Sequence, residues 1–143
     1  MAGNNPIVGG NGGDIFSAYG PSKSPVHTID AWGDHGFDWA TAFYIVKGVQ
    51  LTFADGVKSA VFGTASGDHQ SFTFNNGEKV KEMTIHASGR VDRIEITTNQ
   101  SRSFAIGGSG GVPFSCHVGN GILLGFEGRS AGDVDAIGAA FQT

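Results

Sequence analysis

An internal repeat constrains the fold of this chain more than any other feature of its sequence. The segment 8–17, VGGNGGDIFS, is matched without a gap by the segment 106–115, IGGSGGVPFS, in four glycines, one Phe and one Ser. A less complete third copy is 62–67, FGTASG. Self-similarity of this kind is typical of a fold built from repeated structural units. We therefore expect three units related by approximate threefold symmetry.

A second pattern recurs together with the glycine-rich loops. Residues 88–94, SGRVDRI, parallel residues 131–137, AGDVDAI, so that Asp92 corresponds to Asp135. Each acid follows the preceding glycine-rich loop at nearly the same distance. Glycine lets backbone N–H groups face outward with no Cβ in the way, and a carboxylate accepts several hydrogen bonds. This combination suits a neutral polyol such as a sugar.

The segments between the loops favour strands over helices. No segment shows a 3.6-residue period over three turns, and turn signals such as NNG at 75–77 separate the segments. Gly accounts for 24 of 143 residues and Phe for 11, while Leu is rare. The sequence predicts an all-β chain of about a dozen short strands. Ten of them are assigned to 26–32, 41–46, 49–53, 57–62, 70–74, 81–87, 91–98, 101–106, 114–118 and 121–127.

Charge and length exclude several classes of function. The net charge is −4 and the pI is about 5.6, so no basic surface for nucleic acid or anionic lipid is expected. No apolar run approaches membrane-spanning length. The chain suits one domain over 1–143, with a flexible N-terminal extension over 1–7. Because no signal peptide is visible, we expect a cytoplasmic protein or one exported without such a signal.

In the first unit, two different residues can correspond to Asp92 and Asp135, depending on where the count begins. Counting forward from Gly13 leads to Asp38, whereas counting back along the hairpin that ends at Gly63 leads to Val46 or Lys47. Strand pairing defines register more tightly than a loop does. We therefore expect no acid in the first unit and interpret 33–42 as an inserted loop. Asp38 would be a ligand only if that loop folds back.

The tail resembles a known family of sugar-binding proteins. The segment 128–138, GRSAGDVDAIG, together with the glycine pairs at 12–13 and 110–111, each followed by a Phe, is similar to the jacalin-related lectins. The similarity covers about 8–141. It implies a β-prism of three four-stranded antiparallel sheets with pseudo-threefold symmetry, and no cofactor. It also implies that the main sugar site joins the first glycine loop to the last loop.

The resemblance also implies the site residues. The N–H groups of the two loops and one carboxylate would hold a monosaccharide at a main site made of Gly13, Gly132, Asp133, Val134 and Asp135. A second, weaker site, in which Arg90 can hold the Asp92 carboxylate, would consist of Gly89, Arg90, Asp92 and Gly111. The family motif is Gly-x-x-x-Asp, but Ala131 replaces its glycine here. Since Ala tolerates positive φ poorly, we expect a slightly reshaped loop.

Other interpretations of these residues stay open in the sequence. The glycine loops could be tight turns, and Asp135 could cap its own loop. Cys116 suits a buried structural thiol better than a nucleophile, and no His or Cys spacing indicates a metal site. A minor alternative is a site for a divalent ion near the 33–42 loop, formed by Asp34, His35, Asp38, Asp68 and His69. Core packing is favoured over sugar stacking for Trp32, Phe37 and Trp39.

The sequence therefore predicts a lectin without catalysis that binds glycans or glycoproteins, as a homo-oligomer such as a dimer or tetramer. By the resemblance, galactose-preferring members are cut before the first-loop glycine, whereas here Gly10 follows 1–9 without an evident processing site. The last loop also offers no aromatic face to galactose. We therefore expect mannose- or glucose-type ligands. The alternatives are specificity for galactose or N-acetylgalactosamine, and a protein-interaction module that has lost sugar binding.

Overall fold

The computed structural model describes residues 2–36 and 38–143. Within this part of the chain thirteen β-strands form three antiparallel sheets, joined by two short 3-10 helical turns at Pro21–Lys23 and Asp38–Ala42. The strands are β1 (Ala2–Asn4), β2 (Val8–Gly9), β3 (Asp14–Tyr19), β4 (Val26–His35), β5 (Tyr44–Phe53), β6 (Phe62–Gly63), β7 (Asp68–Thr73), β8 (Val80–Ala87), β9 (Val91–Thr98), β10 (Ser103–Gly107), β11 (Val112–Ser115), β12 (Leu123–Ser130) and β13 (Val134–Gln142).

The three sheets share one strand order. Two of them run β6-β5-β4-β7 and β10-β9-β8-β11. In the remaining sheet β13, β12 and β3 follow one another, and both β1 and β2 pair with the free edge of β13. Because β1 and β2 occupy one strand position, each sheet has four positions. The predicted all-β prism with pseudo-threefold symmetry is confirmed, and the two ends of the chain complete one of its sheets.

The core lies between the three sheets. Its largest fully buried side chains come from all of them, among them Phe53, Ile94, Phe126 and Phe141. Every sheet turns one face of its alternating strands inward, so burial of apolar surface holds the three units together. The loops that join the strands are left at the two ends of the prism. The candidate site lies at one of these ends.

Several strand boundaries differ from the sequence-based prediction. The predicted strands 41–46 and 49–53 are one strand, β5, and the predicted strand 57–62 is mostly loop, with a single bridge from Thr52 to Lys58 before β6. The strand β3 was not predicted, because its short alternation directly follows a glycine-rich loop. In β3 only Phe16 and Ala18 are buried. Edge strands of this kind carry a weak hydrophobic signal.

The N-terminal segment, for which the sequence predicts a flexible extension over 1–7, contributes an edge strand to the last sheet. Residues 2–4 pair with 140–142 as an edge strand. Asn5 then fills the gap between β1 and β2, because its side-chain amide donates to the carbonyl oxygens of His117 and Ala139. The pairing partner lies at the other end of the sequence, so no local pattern could reveal it. Met1 lies outside the described residues.

In the part of the chain that the structure describes, no helix is long and apolar enough to cross a membrane.

Candidate functional site

Three β-bulges at one end of the prism occupy equivalent places in the three units. In the hairpin β12–β13 the pairing passes from Val134 to Ala136 and leaves Asp135 as the extra residue. The same irregularity leaves Asp92 extra in β8–β9 and Lys47 extra in β4–β5. A bulge redirects its extra side chain and is common beside functional sites. The fold therefore presents two carboxylates and one ammonium group at this end.

A glycine-rich loop closes over each bulge. In each loop, the backbone N–H of the second residue donates to the carbonyl oxygen of the bulged residue. The distances are 2.8 Å from Gly10 to Asp135, 2.9 Å from Gly108 to Asp92 and 2.9 Å from Thr64 to Lys47. This contact confirms that the three loops are copies of one unit. It also assigns Lys47, one of the two positions predicted from the hairpin count, to the place of the acid in the first unit.

The glycines of the first loop leave room for the Asp135 carboxylate. A Cβ on Gly12 would lie 2.7 Å from its Oδ2, and a Cβ on Gly13 would lie 2.8 Å from its Oδ1. Gly13 also has a φ of +71°, which favours glycine. Asp135 is 3% exposed, and this burial raises the pKa of its carboxyl group, although Arg90 opposes the shift. The structure thus brings Gly13 and Asp135 together.

The Asp133 side chain pairs with basic side chains of the two other units. Its carboxylate is buried and accepts from Lys47 Nζ at 2.8 Å and from Arg90 Nε at 3.1 Å. Arg90 Nη1 also lies 3.3 Å from Asp135 Oδ2. All three units therefore contribute to one ion-pair cluster, which we call the central cluster: Lys47 from the first, Arg90 from the second, and Asp133 and Asp135 from the third. The Asp133 side chain thus links the three units.

The remaining predicted residues of the main site, Gly132 and Val134, present no side chain to solvent. Val134 is fully buried, so its side chain lies in the core. Gly132 accepts from Thr64 Oγ1 at 2.8 Å, which ties the last loop to the neighbouring unit. Ala131 does not adopt a positive φ. Among residues 2–36 and 38–143, the non-glycine residues with positive φ are Ser22, Lys23, Asp38 and Ser101.

The predicted second site also comes together, with one correction. Gly110 and Gly111 leave room for the Asp92 carboxylate, since Cβ atoms there would lie 2.8 and 2.7 Å from its oxygens. Arg90 does not hold Asp92, as the sequence suggested, but binds Asp133 and Asp135 in the central cluster. Arg90 lies in the turn that precedes β9, whereas Asp92 is the bulged residue within β9. Their side chains therefore point in different directions.

The inserted loop does fold back, although not through Asp38. The insertion spans the connection from β4 to β5, and Asp38 is exposed there. Trp39 instead reaches the second unit, where its ring lies 4.8 Å from the Arg90 guanidinium carbon. Trp39 is 59% exposed, so the prediction that it packs in the core is wrong. Trp32 is half-buried and stacks on His69, and Phe37 lies outside the described residues.

The predicted acid and histidine residues of the first unit have separate partners. Asp34 accepts from Ser66, Asp68 from Tyr44, and His69 pairs with Asp30. The structure describes no group of three or more His, Cys, Asp or Glu side chains, within 2–36 and 38–143, that could hold a metal ion. Cys116 is partly buried at the end of β11, and burial raises the pKa of its thiol to about 11.

Comparison with known proteins places these features in one family. The family profile described as "Jacalin-like lectin domain" matches residues 6–140. No curated protein matches the chain in sequence.

Solved structures share the whole fold. The lamprey immune protein is 27% identical, with a TM-score of 0.85, over 98% of this chain and 44% of that one. The F84T variant of Malaysian banana lectin is 25% identical, with a TM-score of 0.77, over 99% and 97% of the two chains. A mannose-binding jacalin-related lectin from Ananas comosus is 23% identical, with a TM-score of 0.79, over 97% and 96%. The chain thus spans under half of the lamprey protein but nearly all of the other two.

Proposed function

Since the chain belongs to the jacalin-like lectin domain family, we propose that it binds glycans without catalysis and holds a mannose- or glucose-type sugar at Asp135. The sugar hydroxyls donate to the Asp135 carboxylate. Backbone N–H groups of Gly13, Gly132 and Asp133 donate to the sugar oxygens. Charge-assisted hydrogen bonds of this kind are stronger than neutral ones and strongly directional. A shallow polar site is therefore sufficient for recognition.

The observation that carries the proposal is the bulged Asp135 against the Gly12–Gly13 backbone. Both glycines lack a side chain, and a Cβ at either would lie within 2.8 Å of an Asp135 carboxylate oxygen. A loop that served only as a turn has no need of two glycines packed on a buried acid. The same arrangement recurs at Asp92 with Gly110 and Gly111. Repetition of acid and glycines together supports a binding role over a turn role.

The sugar class is inferred from the path of the N-terminal segment. The nitrogen of Gly10 donates to the carbonyl oxygen of Asp135 at 2.8 Å. It is therefore an amide engaged in the backbone and offers no charged amino group to an axial hydroxyl. A sugar with an equatorial 4-hydroxyl, as in mannose and glucose, directs its 4- and 6-hydroxyls to one carboxylate. Galactose and N-acetylgalactosamine are the alternatives that the experiment includes.

Calorimetric titration with methyl mannoside, methyl glucoside, galactose and N-acetylgalactosamine tests this proposal. We expect Asp135→Ala to weaken binding of the preferred sugar by about 1.5–3 kcal/mol, roughly ten- to a hundredfold. Asp14→Ala is the matched control, because Asp14 is an exposed acid beside the same loop. Unchanged affinity in folded Asp135→Ala contradicts the assignment. Binding of galactose and N-acetylgalactosamine, without binding of methyl mannoside or methyl glucoside, contradicts the proposed preference for mannose- or glucose-type sugars.

A second candidate is a prism-fold interaction module without sugar binding. Arg90 Nη1 lies 3.3 Å from Asp135 Oδ2, and Asp135 is 3% exposed. Both features favour a structural carboxylate. An absence of binding to any of the four sugars in wild-type protein, together with a loss of stability in Asp135→Ala, would establish this candidate instead.

Useful avidity requires more than one site. Single shallow sites bind weakly, and linked sites raise the effective affinity without new contacts. We infer a homo-oligomer, a dimer or tetramer, and analytical ultracentrifugation measures it. We also infer no glycoside hydrolysis, because the two acids of such a reaction flank the scissile bond. Asp133 and Asp135 instead bind the same Arg90 side chain.

A further inference from the structure

A small cavity lies beside Asp92, outside the main site. Its volume is about 100 Å³. Pockets that enclose a drug-sized ligand measure roughly 300–1,000 Å³, so this cavity holds one substituent of a ring and not the ring itself. The inserted loop of the first unit supplies its apolar wall, and the second unit supplies its polar side. The lining residues are Trp39, Ala40, Phe43, Ile45, Ser88, Arg90, Asp92, Gly110 and Gly111.

Asp92, on the polar side of the cavity, carries an acceptor without a hydrogen-bond partner. Asp92 is 6% exposed, and its Oδ1 is buried with no partner among the described residues. A buried acceptor without a donor destabilises the fold, and such groups are rare in folded proteins. The Asp135 carboxylate differs, because Arg90 Nη1 lies 3.3 Å from its Oδ2. The Asp92 carboxylate therefore retains the capacity to accept a hydrogen bond from a ligand.

The apolar wall is held in place by specific contacts. The Trp39 ring covers the Arg90 guanidinium, and a Cβ on Gly89 would lie 2.5 Å from Trp39 Cη2. Trp39 and Phe43 pack edge to face, with ring centroids 6.3 Å apart. They remain 59% and 51% exposed although they are large and apolar. Two exposed aromatic rings beside a buried carboxylate form a surface for a ligand that is apolar on one side.

We propose that this cavity is a second sugar subsite that selects a 2-acetamido sugar such as N-acetylglucosamine. The amide N–H donates to the Asp92 carboxylate, the methyl group enters the cavity between Trp39 and Phe43, and the pyranose ring lies outside. The proposal rests on the lectin function proposed above and adds a ligand class for this site. The first unit has no such subsite, because Lys47 occupies the place of the acid and bonds to Asp133.

The chemistry of the lining favours an acetamido group over a plain hydroxyl. A hydroxyl would satisfy the carboxylate but leave the apolar wall in contact with water. An acetamido group satisfies the acceptor and buries a methyl group in the same step, and burial of apolar surface favours binding. Ile45 and Ala40, which close the bottom of the cavity, offer no hydrogen bond to a polar substituent.

The test compares methyl N-acetylglucosaminide with methyl glucoside, which lacks only the acetamido group. Calorimetry is carried out on wild type and on Asp135→Ala, Asp92→Ala, Trp39→Ala and Gly89→Ala. We expect Asp135→Ala to retain N-acetylglucosaminide binding within about twofold, whereas Asp92→Ala and Trp39→Ala lose about tenfold or more. Gly89→Ala displaces Trp39 and weakens this ligand, while methyl mannoside binding is unchanged.

Tryptophan fluorescence gives a readout at the cavity itself. The chain has two tryptophans, Trp32 and Trp39. We expect N-acetylglucosaminide to change the emission of wild type and of Trp32→Phe but not of Trp39→Phe.

Three results overturn the inference. One is N-acetylglucosaminide binding that is lost in Asp135→Ala and retained in Asp92→Ala. The second is an Asp135→Ala variant that binds neither sugar, and the third is one that binds methyl glucoside as well as the acetamido sugar. A wild type that binds N-acetylglucosaminide but neither methyl mannoside nor methyl glucoside refutes the main-site proposal and leaves this one standing.

Discussion

The central cluster makes Asp133→Ala the most informative test of how the prism is held together. Asp133 is 2% exposed and accepts from Lys47 at 2.8 Å and from Arg90 at 3.1 Å. Removing one partner of a buried ion pair costs about 3–5 kcal/mol, because a charge stays in the interior without its counter-ion. The free energy of unfolding of a native protein is typically about 5–15 kcal/mol, so the loss is a large part of the total.

Urea unfolding followed by circular dichroism measures this effect. With a slope near 2 kcal/mol per molar urea, the expected loss lowers the unfolding midpoint by about 1.5–2.5 M. Asp30→Ala is the control, because its pair with His69 is partly exposed and contributes about 1 kcal/mol or less. Burial also predicts that 0.5 M salt changes the Asp133→Ala effect little. An Asp133→Ala loss below about 1 kcal/mol, or one equal to that of Asp30→Ala, refutes the reasoning.

Two further predictions concern titrating groups. Burial raises the pKa of Asp92, so the folded state binds its proton more tightly than the unfolded state does, and the charged form costs stability above the unfolded pKa near 3.9. Asp92→Asn is therefore expected to be more stable than wild type at neutral pH by about 1 kcal/mol, with the difference shrinking as the pH falls; unfolding midpoints at several pH values check this, and a lower midpoint at pH 7 contradicts it. Burial raises the pKa of Cys116 to about 11, so its reaction with a disulfide reagent at pH 8 is expected to be slow in folded protein and fast in urea. Equal rates in the two states would contradict that placement.

The repeated glycine loops explain why much of the site was predictable. A β-bulge sits at a fixed place in each hairpin, so counting residues along the hairpin leads to the same position in all three units. This count puts Asp92 and Asp135 at equivalent positions of the second and third units. It puts Val46 or Lys47 at the equivalent position of the first unit. The bulge itself was not visible, because one extra residue in a strand leaves no separate pattern in the sequence. It is nevertheless what turns each acid toward its loop.

The contacts of Arg90 and Trp39 were not predictable. Arg90 was expected beside Asp92, its near neighbour in sequence, but it binds Asp133, 43 residues away. Trp39 was assigned to the core on its residue type, but it lies on the surface of the second unit. Both side chains are long enough to cross from one unit to the next. Their partners depend on how the units pack around the common axis.

Residue types alone are sufficient to predict the all-β class, the threefold repetition and the register that puts an acid after two of the three glycine loops. These properties are local, because each follows from residue types within one hairpin or loop. The buried cluster of Lys47, Arg90 and Asp133, and the contact of the inserted loop with the cavity at Asp92, depend on how the three units pack together. The paired residues Lys47 and Asp133 are 86 positions apart. A periodic pattern describes one strand at a time, whereas these contacts arise when three sheets close around one core.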